Sequence, residues 1–272
     1  MCGYRPAERG RALSAILVLG AALLLGCTDV QDDAAQKPER ATPTIQRPAP
    51  TAQRPATMRR TRTIGRSGEG RRLRLVERGD PGRDRRILVV GCIHGTECAG
   101  TAITRRLLRG PAPRDALLWI VPNLNPDGRA AGTRLNGRGV DLNRNFPSEW
   151  RPLQRRGDPQ YSGPRPLSEP ESRAFAGFVR ARRPTVTIVF HQPQAVVRAW
   201  GRSVAVAQRY ARLAGVPFRR IRWPHGTASN WQNHRFPGTS SFVVELAPGE
   251  LDAATARRHA EAVRALARSL DR

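Results

Sequence analysis

Short apolar runs alternate along this chain with stretches of helical period, and that alternation restricts the fold more than any other feature. Ile87 to Gly91, Leu117 to Val121, Thr185 to Phe190 and Ser241 to Leu246 have strand length and strand composition. Between and after them lie segments of helical pattern: Glu97 to Arg109, Ser168 to about Arg182, Ser203 to Ala214, and an amphipathic stretch from Leu251 to Leu270. Ser168-Glu169-Pro170-Glu171 has the spacing of a capping box, so Ser168 is the expected N-cap of its helix. Strands alternating with helices predict an α/β fold, a mixed, mostly parallel central sheet with helices on both faces. In such sheets ligands gather at the carboxyl ends of strands. His94, His191 and Glu245 all fall at or near strand ends.

Those three positions carry chemistry. His94 and Glu97 are three residues apart, where one turn presents an imidazole and a carboxylate together, and His191 ends another apolar run. Two histidines and a glutamate are a donor set for catalytic zinc, which takes three protein ligands and keeps one position open. Glu245 interrupts the apolar Phe242–Leu246 run, where a carboxylate is costly without a partner. The stretch from Asn123 to Pro147 is too polar and glycine-rich for a core and long for a plain connection, which marks it as a functional loop. Its Asn and Arg side chains offer forked donors suited to a carboxylate or an oxyanion. His225, His234 and His259 read as structural or solvent-facing, with His259 expected on the polar side of the last helix.

The ends organise the rest. Arg5, Arg9 and Arg11 precede an apolar run from Ala12 to Leu25, about 14 residues against the ~20 of a membrane-spanning helix, so residues 1–27 are expected to be an export signal. Residues 28–63 are rich in Pro, Thr, Ala, Gln and Arg without periodicity and are expected to be a disordered linker. Residues 64–272 are expected to form one catalytic domain. The formal charge of +25 comes from 47 basic residues, of which Lys37 is the lone lysine. Such a field favours anionic surroundings such as lipid head groups or wall polymers. Export, few aromatics and the lack of a recognisable binding module argue against nucleic acid as a partner. Cys92 and Cys98 flank the His94/Glu97 turn, and two readings stand: a disulfide, or two packed thiols.

Leu24-Leu25-Gly26-Cys27 resembles the lipobox of bacterial lipoproteins, which implies lipidation at Cys27 and a membrane-anchored chain facing the periplasm or the cell exterior. The domain resembles the M14-type zinc carboxypeptidases, nearest to their murein peptide amidase branch. The shared motifs are His94-Gly-Thr-Glu97, Asn125-Pro-Asp-Gly128, Thr133-Arg134-Leu-Asn136, Gly139-Val-Asp-Leu-Asn-Arg-Asn-Phe146, Ser168-Glu-Pro-Glu171, His191-Gln-Pro193 and Val244-Glu245-Leu246, in the family's order. The resemblance implies one zinc held by His94, Glu97 and His191. It also implies that Arg134 steadies the oxyanion and that Asn143 and Arg144 grip a substrate carboxylate. Glu245 would be the general base toward the attacking water and would pass the proton to the leaving amine.

The activity so implied is hydrolysis of an amide in cell-wall (murein) peptides next to a free carboxylate, with the γ-D-glutamyl–diaminopimelate bond as the leading case. One departure bears on the substrate. Arg198 stands where relatives that cut diaminopimelate peptides tend to carry an acid; an acid meets an amino group, whereas an arginine favours a carboxylate. A tyrosine on the mobile loop of digestive carboxypeptidases also has no equivalent within Trp223 to Phe236. Two rival readings are a deacylase of N-acyl amino acids on the same zinc framework and a non-catalytic envelope-binding lipoprotein.

Overall fold

A computed structural model describes residues 58–270 of the chain. The expected signal segment 1–27, with Cys27, and linker residues 28–57 lie outside the described residues. The four apolar runs are strands, joined by four less obvious ones. In chain order these are β1 (Met58–Arg66), β2 (Arg72–Gly79), β3 (Arg86–Val90), β4 (Leu117–Val121), β5 (Val186–His191), β6 (Val196–Ala199), β7 (Phe218–Arg220) and β8 (Ser240–Glu245). They form one sheet in the order β1-β2-β4-β3-β5-β8-β6-β7. The central strands β4, β3, β5 and β8 run parallel, β7 runs parallel to β6, and β1, β2 and β6 join antiparallel to their inner neighbours. The sheet is mixed and mostly parallel, as the alternation predicts. β4 and β5 are buried along their whole length because helices cover both faces.

Six helices supply that cover: α1 (Gly100–Arg109), α2 (Pro126–Ala131), α3 (Pro170–Arg182), α4 (Val204–Ala214), α5 (Ala228–Arg235) and α6 (Ala253–Ser269). α6 packs against both α1 and α4. On that face Phe190 of β5 meets His259 of α6, and Phe242 of β8 meets Tyr210 of α4. Neighbouring residues on a strand point to opposite faces. Val189, His191, Val243 and Glu245 therefore face the other way, toward the layer where Phe146 packs between Phe175 of α3 and Trp231 of α5.

Several expectations need correction. The linker ends earlier than residue 63, since β1 starts at Met58 and pairs with β2 along its length. Its exposed arginines, fitting for an edge strand, hide its alternation. The helix after β3 begins at Gly100 rather than Glu97, so His94 and Glu97 sit in the turn before it. Ser168 is not a cap: its hydroxyl donates to Glu169 Oε1 (2.8 Å), Glu169 occupies the cap position, and Glu171 accepts from Gly68 N. The long polar loop is folded. Asn125 Oδ1 caps α2 by accepting from Gly128 N (2.9 Å), and a 3-10 turn spans Leu142–Arg144. His259 faces inward, 3% exposed, with its Nδ1 2.8 Å from the Tyr210 hydroxyl. Cys92 and Cys98 are joined as a disulfide.

Candidate metal centre and active-site cleft

The site lies where the chain reverses direction across the sheet. From β3 the chain passes through α1 to β4 on one side, while β5 lies against the other side of β3, and such switch points leave a crevice at the strand ends. His94 follows β3 closely, His191 is the last residue of β5, and Glu245 is the last residue of β8, directly opposite His191. Gly95 lets the metal turn press onto the polar loop, since a Cβ there would overlap the backbone of Gly128, Arg129 and Thr133.

His94 Nδ1 and His191 Nδ1 converge on one oxygen, Glu97 Oε2, at 3.0 and 2.9 Å. The two rings meet edge-on with centroids 4.8 Å apart, and the three donor atoms lie within 4.8 Å of one another. On its far side, His94 Nε2 lies 2.9 Å from Asp141 Oδ1, a carboxylate with no exposed surface. Asp141 can only accept when ionised, so the His94 proton sits on Nε2 and the Nδ1 lone pair faces Glu97. Two acceptors 3.0 Å apart require a proton or a cation between them, and the carboxylate–histidine arrangement is the usual support for a metal-binding imidazole. Two imidazoles, one carboxylate and an open side toward a cavity fit zinc in a catalytic site.

The charges are arranged accordingly. Burial pushes His94 down, but the charge and hydrogen bond of Asp141, followed by Glu97, outweigh it and hold the ring above its ordinary value. Burial dominates at His191 and lowers it to about 4. Glu97 and Asp141 are held well below the usual carboxylate range despite burial, Glu97 by its contacts with His191 and then His94, and Asp141 by the charge of His94.

The cleft above these groups has a volume of about 260 Å³ and takes in every candidate side chain: His94, Glu97, Arg134, Asn143, Arg144, His191, Arg198 and Glu245. Arg134 donates to Asp141 Oδ2 through Nε (3.2 Å) and Nη2 (3.1 Å), and to Glu97 Oε1 through Nη1. Asn143 Oδ1 accepts from Ala228 N (3.0 Å), which turns its amide nitrogen toward His191. Arg144 is anchored by one donor to Asn143 O (2.9 Å). Burial pushes the Glu245 carboxyl up, opposed mainly by Arg198, whose Nη1 lies 3.2 Å from Glu245 Oε1.

Sequence reasoning missed the role of Asp141. It was present within Gly139–Phe146, and the signal was available: a metal-binding histidine calls for a carboxylate on its second nitrogen. Trp223 and Thr227, which also line the cleft, carried no sequence signal.

Residues 49–222, more than half of the chain, match the family model described as zinc carboxypeptidase. The chain belongs to the zinc carboxypeptidase family. This family of hydrolases is zinc-dependent, and the match covers the metal turn, the polar loop and His191, while Glu245 lies beyond it. The chain is 28% identical over 186 residues to γ-D-glutamyl-L-diamino acid endopeptidase 1 of Lysinibacillus sphaericus, covering 53% of this chain and 46% of that protein. It is 31% identical over 121 residues to murein peptide amidase A of Escherichia coli K12, covering 40% of this chain and 50% of that protein. The chain thus spans about half the length of these relatives. The crystal structure of murein-tripeptide amidase from Escherichia coli O157 superimposes with a TM-score of 0.64 at 26% identity, over 82% of this chain and 98% of that one.

Proposed function

We propose that this zinc carboxypeptidase-family protein hydrolyses an amide bond in cell-wall peptides next to a free carboxylate, the γ-D-glutamyl–diaminopimelate bond being the first to test. The observation that carries the reading is the convergence of His94 Nδ1 and His191 Nδ1 on Glu97 Oε2 in the same cleft as Glu245. The similarity to a murein peptide amidase and to a γ-D-glutamyl-L-diamino acid endopeptidase supports the choice of substrate class.

In this reading His94, Glu97 and His191 hold one zinc. When bound, the metal supplies Lewis-acid polarisation of the scissile carbonyl and makes water more acidic. Arg144, with the amide nitrogen of Asn143 beside it, binds the substrate carboxylate and fixes the amide in the cleft. Glu245, with its proton affinity raised by burial, takes a proton from the attacking water and returns it to the leaving nitrogen. Arg134 faces the carbonyl oxygen with fixed positive charge as negative charge builds there. Asp141 keeps both His94 and Arg134 in position. The sequence signal of residues 1–27 extends the proposal to an envelope enzyme, exported and lipid-anchored through Cys27.

The test is mass spectrometry of a murein tripeptide, L-alanyl-γ-D-glutamyl-diaminopimelate, incubated with the zinc-loaded protein. Release of free diaminopimelate supports the proposal. Zinc binding with cleavage of N-acyl amino acids alone transfers the protein to the deacylase reading, and a protein that binds no zinc and cleaves neither is the non-catalytic one.

A further inference from the structure

Arg198 is the guanidinium of the cleft with the fewest partners. Arg134 is held by Glu97 and Asp141, and Arg144 by Asn143 O and Gln160. Arg198 makes one bond, Nη1 to Glu245 Oε1, and its Nε is buried without a partner. A second donor in the same cleft is in the same state: Trp223 Nε1 is also buried and unpartnered. Buried donors without acceptors are costly, and here two of them belong to side chains that line one cleft.

The strand register locates this place. On the antiparallel β6–β8 pair Arg198 lies opposite Val243, and Val196 lies opposite Glu245. Arg198 therefore shares the face of Val243 and Glu245 but sits one pleat repeat, about 6.8 Å, farther from the strand end than the general base. Arg198 thus lines the cleft on the side away from the strand ends. Its side chain is 17% exposed, so a ligand that meets it does so away from bulk water.

We propose that Arg198 and Trp223 form a second anion subsite, so that the leaving residue of the substrate carries a side-chain carboxylate in addition to the one beside the scissile amide. This inference rests on the hydrolase reading above and narrows its substrate to dicarboxylate leaving residues: glutamate, aspartate, or diaminopimelate with its far carboxylate free. The guanidinium has five donors, so Arg198 keeps Nη1 on Glu245 while its remaining N–H groups are left to donate to a carboxylate oxygen of the ligand. An amide in place of that carboxylate forfeits the charge-assisted bond, and a side chain that ends in an ammonium without a carboxylate is repelled.

The test compares isosteric ligands. Calorimetry on the zinc-loaded protein measures binding of N-acetyl-L-glutamate against N-acetyl-L-glutamine. In parallel, kcat/KM is measured on peptides ending in glutamate or glutamine. The expected preference for the carboxylate is about tenfold or more in both readouts. It falls to near unity in Arg198→Gln, is partly retained in Arg198→Lys, and weakens in Trp223→Phe, which keeps the ring and loses the N–H. Equal binding of the two ligands by the wild-type protein overturns the subsite, whatever the variants do. So does an undiminished preference in a folded Arg198→Gln protein. A binding preference without any peptide cleavage keeps the subsite and defeats the hydrolase reading. Cleavage without discrimination does the reverse.

Discussion

Replacing Asp141 with asparagine changes almost no volume and isolates one physical question: what supports the metal-binding face of His94. Four donors point at this carboxylate. His94 Nε2 (2.9 Å) and Asn143 N (2.8 Å) meet Oδ1, and Arg134 Nε (3.2 Å) and Nη2 (3.1 Å) meet Oδ2. An amide accepts on one side and donates on the other, so in Asp141→Asn the NH₂ group must face one of the two donor pairs. Turned toward Arg134, it opposes a half-buried guanidinium. Turned toward His94, it drives the imidazole proton to Nδ1, the nitrogen that zinc needs. Loss of such a supporting carboxylate typically costs about 10- to 100-fold in metal affinity, which is about 1.4–2.8 kcal/mol. Competition for zinc against a chromophoric chelator at fixed pH reads this directly, and chemical denaturation of the metal-free protein separates the loss from general unfolding. Zinc affinity within about threefold of wild type would refute the assignment of the His94 proton to Nε2 and of Asp141 to its support.

Glu245→Gln should retain zinc while losing about 10²-fold or more in turnover, read as kcat on the murein tripeptide with metal content measured alongside. Gly95→Ala should lower both zinc affinity and thermal stability, because the added Cβ overlaps the backbone of Gly128, Arg129 and Thr133; a normal melting curve with full zinc occupancy would contradict it. Burial lowers His259 to about 4 in the folded protein, against an ordinary value near 6.5. The unfolded chain therefore binds the extra proton first as pH falls. The stability tied to a neutral His259 is fully present above pH 6.5 and is lost between about pH 6.5 and 4, amounting to about 3 kcal/mol. Urea midpoints of wild type and His259→Gln across that range test it, and parallel pH curves for the two proteins would be the wrong result.

The central sheet was legible because β3, β4, β5 and β8 are covered on both faces and so read as continuous apolar runs. β1, β2 and β7 were not, because they lie at or near the sheet margins and their exposed positions carry arginines that mask the alternation. β6 is only four residues long, with Arg198 interrupting it for the sake of the cleft. The residues of the candidate metal centre were legible as strand-end histidines and a carboxylate one turn on. Asp141 was harder, since an aspartate in a polar loop looks solvated until the fold shows it fully enclosed. The Arg198–Glu245 pair depends on antiparallel register between β6 and β8, which no local pattern specifies. Ser168-x-x-Glu171 had the capping-box spacing but served another purpose: Glu169, Glu171 and Ser168 bind Asn136, Asn145 and Gly68, tying the polar loop to α3.

The most direct test of the account is hydrolysis of L-alanyl-γ-D-glutamyl-diaminopimelate by purified protein of measured metal content, before and after chelation and re-addition of zinc. The account predicts one zinc per chain, release of diaminopimelate, loss of activity on chelation and its return with zinc. Cleavage that continues at full rate in metal-free protein, or a protein that takes up no zinc at His94, Glu97 and His191, would contradict it.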